Sequence, residues 1–200
     1  VVVAHGGRVQ VITAASNRVR SYSLDDGRIL WHARGLTGNV IPCPVVEDEL
    51  VYCMSGYKGH ALLALSLAAT GDISNSDAIR WRKDRGTPYI PSPLLYDGRL
   101  YFTQSNQAIL TCLATKTGEA IIERSRLPGL SNIYASPVAA AGRIYFPGRN
   151  GTTLVLKRAR ELQVLASNAL DERILASPAL AGNQIFLRGD KSLYCIAQKR

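Results

Sequence analysis

The sequence has no adjacent cysteines, no Cys-x-x-Cys pair, and no apolar run close to the roughly 18–20 residues of a membrane-spanning helix. Its three histidines, His5, His32 and His60, are isolated in the sequence and read as turn or surface residues rather than metal ligands. Phosphate-binding Gly-rich loops, Gly-x-Ser-x-Gly elbows, His-Glu-x-x-His helices and calcium-binding loops are all missing, so no metal, cofactor or catalytic residue is expected. No leader-like stretch occurs, and the chain opens on Val1 rather than Met, so this bears on nothing upstream. Acidic residues are also scarce: 15 Asp and Glu face 24 Lys and Arg, a net charge of +9. The basic residues are spread along the chain, and the one dense run, Arg80 to Arg85, contains Asp84. A solvated basic surface is the reading, and nucleic acid is not an expected partner.

The four cysteines are Cys43, Cys53, Cys112 and Cys195. A hairpin through "IPCPVVEDELVYCM" sets Cys53 opposite Pro44, so Cys43 falls on the other face and a Cys43–Cys53 disulfide is not expected. Cys112 and Cys195 hold equivalent places in different repeats, and all four are expected to be buried free thiols.

What is present is a phrase. "YIPSPLLYDGRLYFTQS" (89–105) reads as a β-hairpin, with Leu94–Tyr96 and Leu100–Phe102 as its arms. Asp97-Gly98 suits a type I′ turn, and Pro91 and Pro93 mark the entry to the first arm. The phrase returns as "YASPVAAAGRIYFPGRN" from Tyr134 and "LASPALAGNQIFLRGD" from Leu175. Turn positions Gly7, Glu49, Gly98, Gly142 and Asn183 follow one another at intervals of 41 to 49 residues. A second hairpin follows in four units, over 19–31, 61–81, 109–123 and, without a clear turn, 152–166. Nothing longer than a turn reads as helix. Four short antiparallel strands per unit of this length predict an all-β propeller, with one blade per repeat. The blades fall near 1–36, 37–86, 87–130, 131–170 and 171–200, as one propeller domain. Five inner hairpins against four outer ones predict part of a seven- or eight-bladed ring whose other blades lie upstream, and an isolated segment that self-associates through its end faces.

Ser-Pro, a Gly turn and Tyr-Phe, followed by Thr-Gly-x-x-x-Trp, resemble the PQQ-like repeat found in pyrroloquinoline-quinone dehydrogenases and in the BamB lipoprotein of outer-membrane barrel assembly. The resemblance covers the whole chain and favours the non-enzymatic branch. WD40 and kelch signatures are absent. In the family's outer turn a tryptophan docks between blades. Trp31 keeps that spacing with Ser23 in place of the usual Asp, Trp81 is reached after an insertion, and Ile122 replaces the third tryptophan. The resemblance implies a protein-binding scaffold in the bacterial cell envelope or periplasm. Its alternative is a quinone-dependent oxidoreductase with catalytic residues outside this segment.

In such a fold the loops between second and third strands, and those joining blades, meet on one face. They carry Asn39, Tyr89, Asn106, Gln107, Asn132, Tyr134, Arg149, Asn150, Arg173 and Arg188. This Asn-, Arg- and Tyr-rich rim is the candidate surface for a protein or an extended polar ligand.

Overall fold

The computed structural model describes residues 1–197, and all regular structure there is β-strand. Blade 1 comprises β1 (Val2–His5), β2 (Arg8–Ala15), β3 (Arg18–Ser23) and β4 (Ile29–Arg34). Blade 2 comprises β5 (Val45–Glu47), β6 (Leu50–Ser55), β7 (Ala61–Ser66) and, after the short β8 (Gly71–Asp72), β9 (Ile79–Lys83). Blade 3 is β10 (Leu94–Leu95), β11 (Arg99–Thr103), β12 (Ile109–Ala114) and β13 (Ala120–Arg126). Blade 4 is β14 (Val138–Ala140), β15 (Arg143–Pro147), β16 (Thr152–Lys157) and β17 (Val164–Ala169). Blade 5 has three described strands, β18 (Ala179–Ala181), β19 (Gln184–Arg188) and β20 (Leu193–Ala197). Neighbouring strands within each blade pair antiparallel in chain order, so the protein is a β-propeller of meander sheets.

The turn chemistry is local. Asp97 and Gly98 both have positive φ, 51° and 70°, as a type I′ hairpin requires, and Leu94 stands opposite Tyr101. Blade 1 departs from the repeat. In blades 2 to 4 the residue after β7, β12 or β16 donates to the second turn residue (Leu67 to Glu49, Thr115 to Gly98, Arg158 to Gly142), but Leu24 donates to Val9. The first inner hairpin therefore runs two residues further than the other three. The insertion before Trp81 has a structural use. Its β8 pairs parallel with β4, Trp31 opposite Gly71, and covers the outer edge of blade 1.

Ser-Pro is explained by the inner seam. The Cys43 N–H donates to Ser92 Oγ (3.0 Å), Ser92 N–H to Ser136 Oγ (2.9 Å), and Ser136 N–H to Ser177 Oγ (2.9 Å). The entries to the innermost strands of blades 2, 3 and 4 are thus each fastened to the serine of the next blade's entry motif, while the following proline has no N–H left to satisfy.

Apolar residues on both faces of the inner strands fill the gaps between blades. Ile12, Trp31 and Val51 join blade 1 to blade 2; Tyr52, Leu62 and Phe102 join blade 2 to blade 3; Leu110, Ile144 and Phe146 join blade 3 to blade 4. Both tryptophans dock. Trp31 is fully buried, and its Nε1–H donates to Gln10 Oε1 (3.1 Å), whose amide nitrogen donates onward to Leu67 O of blade 2 (2.9 Å). Trp81 Nε1–H and Tyr52 Oη both donate to Thr115 O of blade 3, at 3.0 and 3.1 Å. The Trp81 ring lies on Gly118, where a Cβ would come within 2.7 Å of it. That close approach, with a φ of 71°, is what the Thr-Gly of the outer turn supplies.

The cysteines are free, but only Cys53 and Cys112 are buried; Cys43 and Cys195 are exposed, contrary to expectation. Cys43 occupies the serine position of the inner seam, on the rim of the sheet. Cys195 faces Phe186 as Cys112 faces Tyr101, yet no strand pairs with β20 on its outer side among the described residues.

Candidate functional site

The rim is built by interlocking two loop sets, so most of its polarity is already committed. Asn17 N–H donates to Thr37 O, and Asn39 N–H to Ser16 Oγ, which ties the first blade link to the β2–β3 turn. Tyr89 N–H donates to Ser105 O, Ile90 N–H to Asn106 Oδ1 (3.2 Å) and Ile133 N–H to Asn106 O (2.8 Å). Asn106 therefore holds two blade links at once. Gln107 pairs with Asn132 in an isolated bridge, and Asn132 O accepts from Arg149 N–H. Asn150 sends Nδ2 to Gly129 O (3.1 Å) and takes the Thr152 N–H on Oδ1 (3.4 Å), as an Asx turn does. The side chains of Asn106 and Asn150 thus serve as loop frame.

Other predicted rim residues gather into three groups. In the first, Asn39 Nδ2 donates to Tyr89 Oη (3.0 Å), and Tyr89 stacks on the exposed Tyr57, centroids 4.6 Å apart at 27°. In the second, the Arg149 guanidinium stands 5.5 Å from the Tyr134 ring centroid, a cation–π arrangement. In the third, Arg173 Nε meets Asp190 Oδ2 at 2.6 Å, beside exposed Arg188. The groups lie in successive blade links and are not brought into mutual contact. Tyr57 was missed in the sequence although it sits in the β6–β7 loop, whose counterparts between β11 and β12, β15 and β16, and β19 and β20 were singled out.

Glu172 was also missed. It receives the Tyr194 hydroxyl and the backbone N–H groups of Lys191 (2.6 Å) and Ser192 (3.3 Å). Those donors, the tyrosine first, pull its carboxyl down to about 2, and the carboxylate in turn pushes the Tyr194 phenol up. Glu172 clamps the link from blade 4 to the β19–β20 loop. Positive charge collects on the same side: Arg18 faces Arg34 across β3 and β4, both exposed, an opposition that costs stability unless an anion lies nearby.

His60 shares a hydrogen bond with Thr87 Oγ1 (3.0 Å), and His32 lies 3.6 Å from Asp72. Among the described residues no three His, Cys, Asp or Glu side chains gather as a metal ion would require.

Comparison with known proteins agrees with the architecture. Residues 1–200 match the family described as "Outer membrane protein assembly factor BamB". No curated protein sequence matches the chain. Among solved structures, BamB from Moraxella catarrhalis superposes with a TM-score of 0.53 at 15% identity, over 100% of this chain and 69% of that one. The computationally designed Ika8 protein gives 0.72 at 12% identity, over 98% of this chain and 57% of that one. The C-terminal WD40 domain of Sif2 gives 0.68 at 13%, over 96% and 55%. The chain thus spans little more than half the length of two of these structures, and identities this low speak for the fold.

Proposed function

We propose, from the premise that this chain belongs to the BamB family of PQQ-like repeat propellers, that it is a non-catalytic scaffold of the cell envelope which holds a polypeptide partner on its loop-rich rim. The observation that carries this reading is the rim itself. The side chains of Asn106 and Asn150 are spent on the loop frame, which leaves the aromatic and cationic groups presented: Tyr57 on Tyr89 with Asn39, and Arg149 on Tyr134. Stacked tyrosines and an arginine held over a ring are pre-ordered, so a partner meets them at low entropic cost. Tyrosine and arginine are also the side chains that dominate protein interfaces. Aligned hydrogen bonds fix the rim loops, and a rigid frame suits a scaffold.

Photo-crosslinking in the full-length protein tests this directly. A benzophenone side chain at position 89 or 134 should yield discrete protein adducts in cells, and one at Leu24 or Lys116, in the β3–β4 and β12–β13 turns of the opposite face, should not. Equal labelling of both faces, or none, defeats the rim assignment. Alcohol or sugar oxidation on addition of pyrroloquinoline quinone, calcium and an electron acceptor would favour the oxidoreductase reading instead.

A further inference from the structure

The contact between blades 4 and 5 differs from the contact between blades 2 and 3 at equivalent positions. In blade 2, Leu62 stands opposite Met54 on one side and Lys83 on the other, and Trp81 stands opposite Ala64. Leu62 and Met54 are fully buried against blade 3. In blade 4 the same places hold Thr153 between Pro147 and Asn168, with Ala166 opposite Val155. Proline for methionine, threonine for leucine and alanine for tryptophan each remove volume; valine for alanine restores little of it.

The result is a cavity of about 350 Å³ between the two blades. Val155 and Leu170 wall it from blade 4 and the following link, and Pro178, Ile185, Leu187 and Ile196 from blade 5. Thr153 and Asn168, cross-strand neighbours, supply its polar end, and no charged side chain lines it. Thr153 is 6% exposed, and its hydroxyl has no hydrogen-bond partner among the described residues. An empty apolar space and an orphaned buried hydroxyl each destabilise a fold. The spaces at the contact of blades 1 and 2 and at that of blades 2 and 3 are lined by charged side chains, among them Arg82, Lys83, Asp84 and Glu123, which the space between blades 4 and 5 lacks.

We propose that this cavity is a binding site for a small uncharged amphipathic molecule, an aliphatic chain ending in one hydroxyl or amide. Its size falls at the lower end of the range for small-molecule sites, about 300–1,000 Å³. The apolar walls take the chain, and Thr153 and Asn168 take the polar end. Rotation about one bond of Thr153 is enough to turn its hydroxyl toward a ligand. A charged head group would be desolvated with no counter-ion, so neutral ligands are preferred. The site is independent of the rim, and either assignment can fail alone.

The test is a titration of the full-length protein with 1-octanol, followed by methyl NMR. Saturable shifts should appear at Val155, Ile185, Leu187 and Ile196 and leave Leu62 and Leu110 unmoved. Octanoate at neutral pH should bind at least tenfold more weakly. Ala166→Trp, and separately Thr153→Leu, place in blade 4 the side chains that close blade 2; each should weaken octanol binding at least tenfold while the methyl signals of the other contacts keep their positions. No saturable shift, as when the protein's own chain fills the space, overturns the proposal. So do equal shifts at all blade contacts, or filled variants that bind as well as the parent.

Discussion

Blades 2 and 3 meet through Tyr52, Met54, Leu62 and Trp81 on one side and Leu100, Phe102 and Leu113 on the other; blades 4 and 5 meet around a void. The backbone register is the same in both, with Val45 opposite Tyr52 and Val138 opposite Tyr145. Strand pairing therefore does not decide how tightly two blades pack. The decision rests with a few side chains on the second, third and fourth strands, and above all with the one opposite Ala64 or Val155, a tryptophan in blade 2 and an alanine in blade 4. The repeat sets the spacing of the sheets, and each unit then fills that spacing to a different degree.

The strongest way to break the comparison is to exchange its terms. Leu62→Thr puts a void and an unpaired hydroxyl into the filled contact, and should cost about 2–4 kcal/mol in denaturant unfolding. Thr153→Leu, the reverse change at the void, should stabilise by about 1 kcal/mol, since it removes an unsatisfied polar group and fills space. Costs of equal size and sign at the two sites would mean that the contacts are packed alike.

A smaller effect concerns how blade 5 is held. The Glu172 carboxyl is depressed to about 2 in the folded protein, against an ordinary value of 4.5. The stability it contributes is fully present above that ordinary value and is lost as pH falls toward 2. Backbone amides of Lys191 and Ser192 should therefore lose hydrogen-exchange protection in that interval before those of blade 2 do. Glu172→Gln should show the weakened protection already at pH 7, with no further change through the same interval.

The smallest effect leaves stability untouched. Cys112 and Cys195 occupy one register position in different blades, opposite Tyr101 and Phe186. Burial pushes the Cys112 thiol up to about 11 and the Cys53 thiol up to about 12, so both stay protonated and shielded at neutral pH. A disulfide-exchange reagent at pH 7.5 should modify Cys43 and Cys195 quickly, and Cys53 and Cys112 only with unfolding. Rapid modification of Cys112 would show that the contact between blades 3 and 4 opens.

The hairpins were legible because their chemistry is local. Asp97-Gly98 can turn a chain unaided, and alternation of apolar residues over two strands points to one sheet. Trp31 and Trp81 could be assigned to blade contacts through the resemblance to the PQQ-like repeat, although an insertion lengthens the approach to Trp81. Residues whose partner lies in another blade were not legible. Gln10 relays Trp31 to Leu67 from 57 residues away, and nothing in its neighbours announces this. Cys43 was placed on the correct face of its hairpin, but its exposure depends on where the inner seam runs. At the rim, Asn39 and Tyr89 could be placed on one face, but their contact across 50 residues could not be read. The void between blades 4 and 5 was not legible: the loss of the outer turn in the fourth unit could be read, but that turn lies at the far end of β16 and β17 from Thr153 and Asn168.

The serine seam has a consequence for the history of the chain. Blades 3 and 4 each bring one hydroxyl that accepts from the preceding blade and one N–H that donates to the following blade, while blade 2, with Cys43 at this place, brings the N–H. A duplicated or deleted unit would find the same donor on one side and the same acceptor on the other. The inner seam is therefore neutral to copy number, and the side chains between blades are free to diverge, tightly filled in one place and hollow in another, without disturbing the order of the strands.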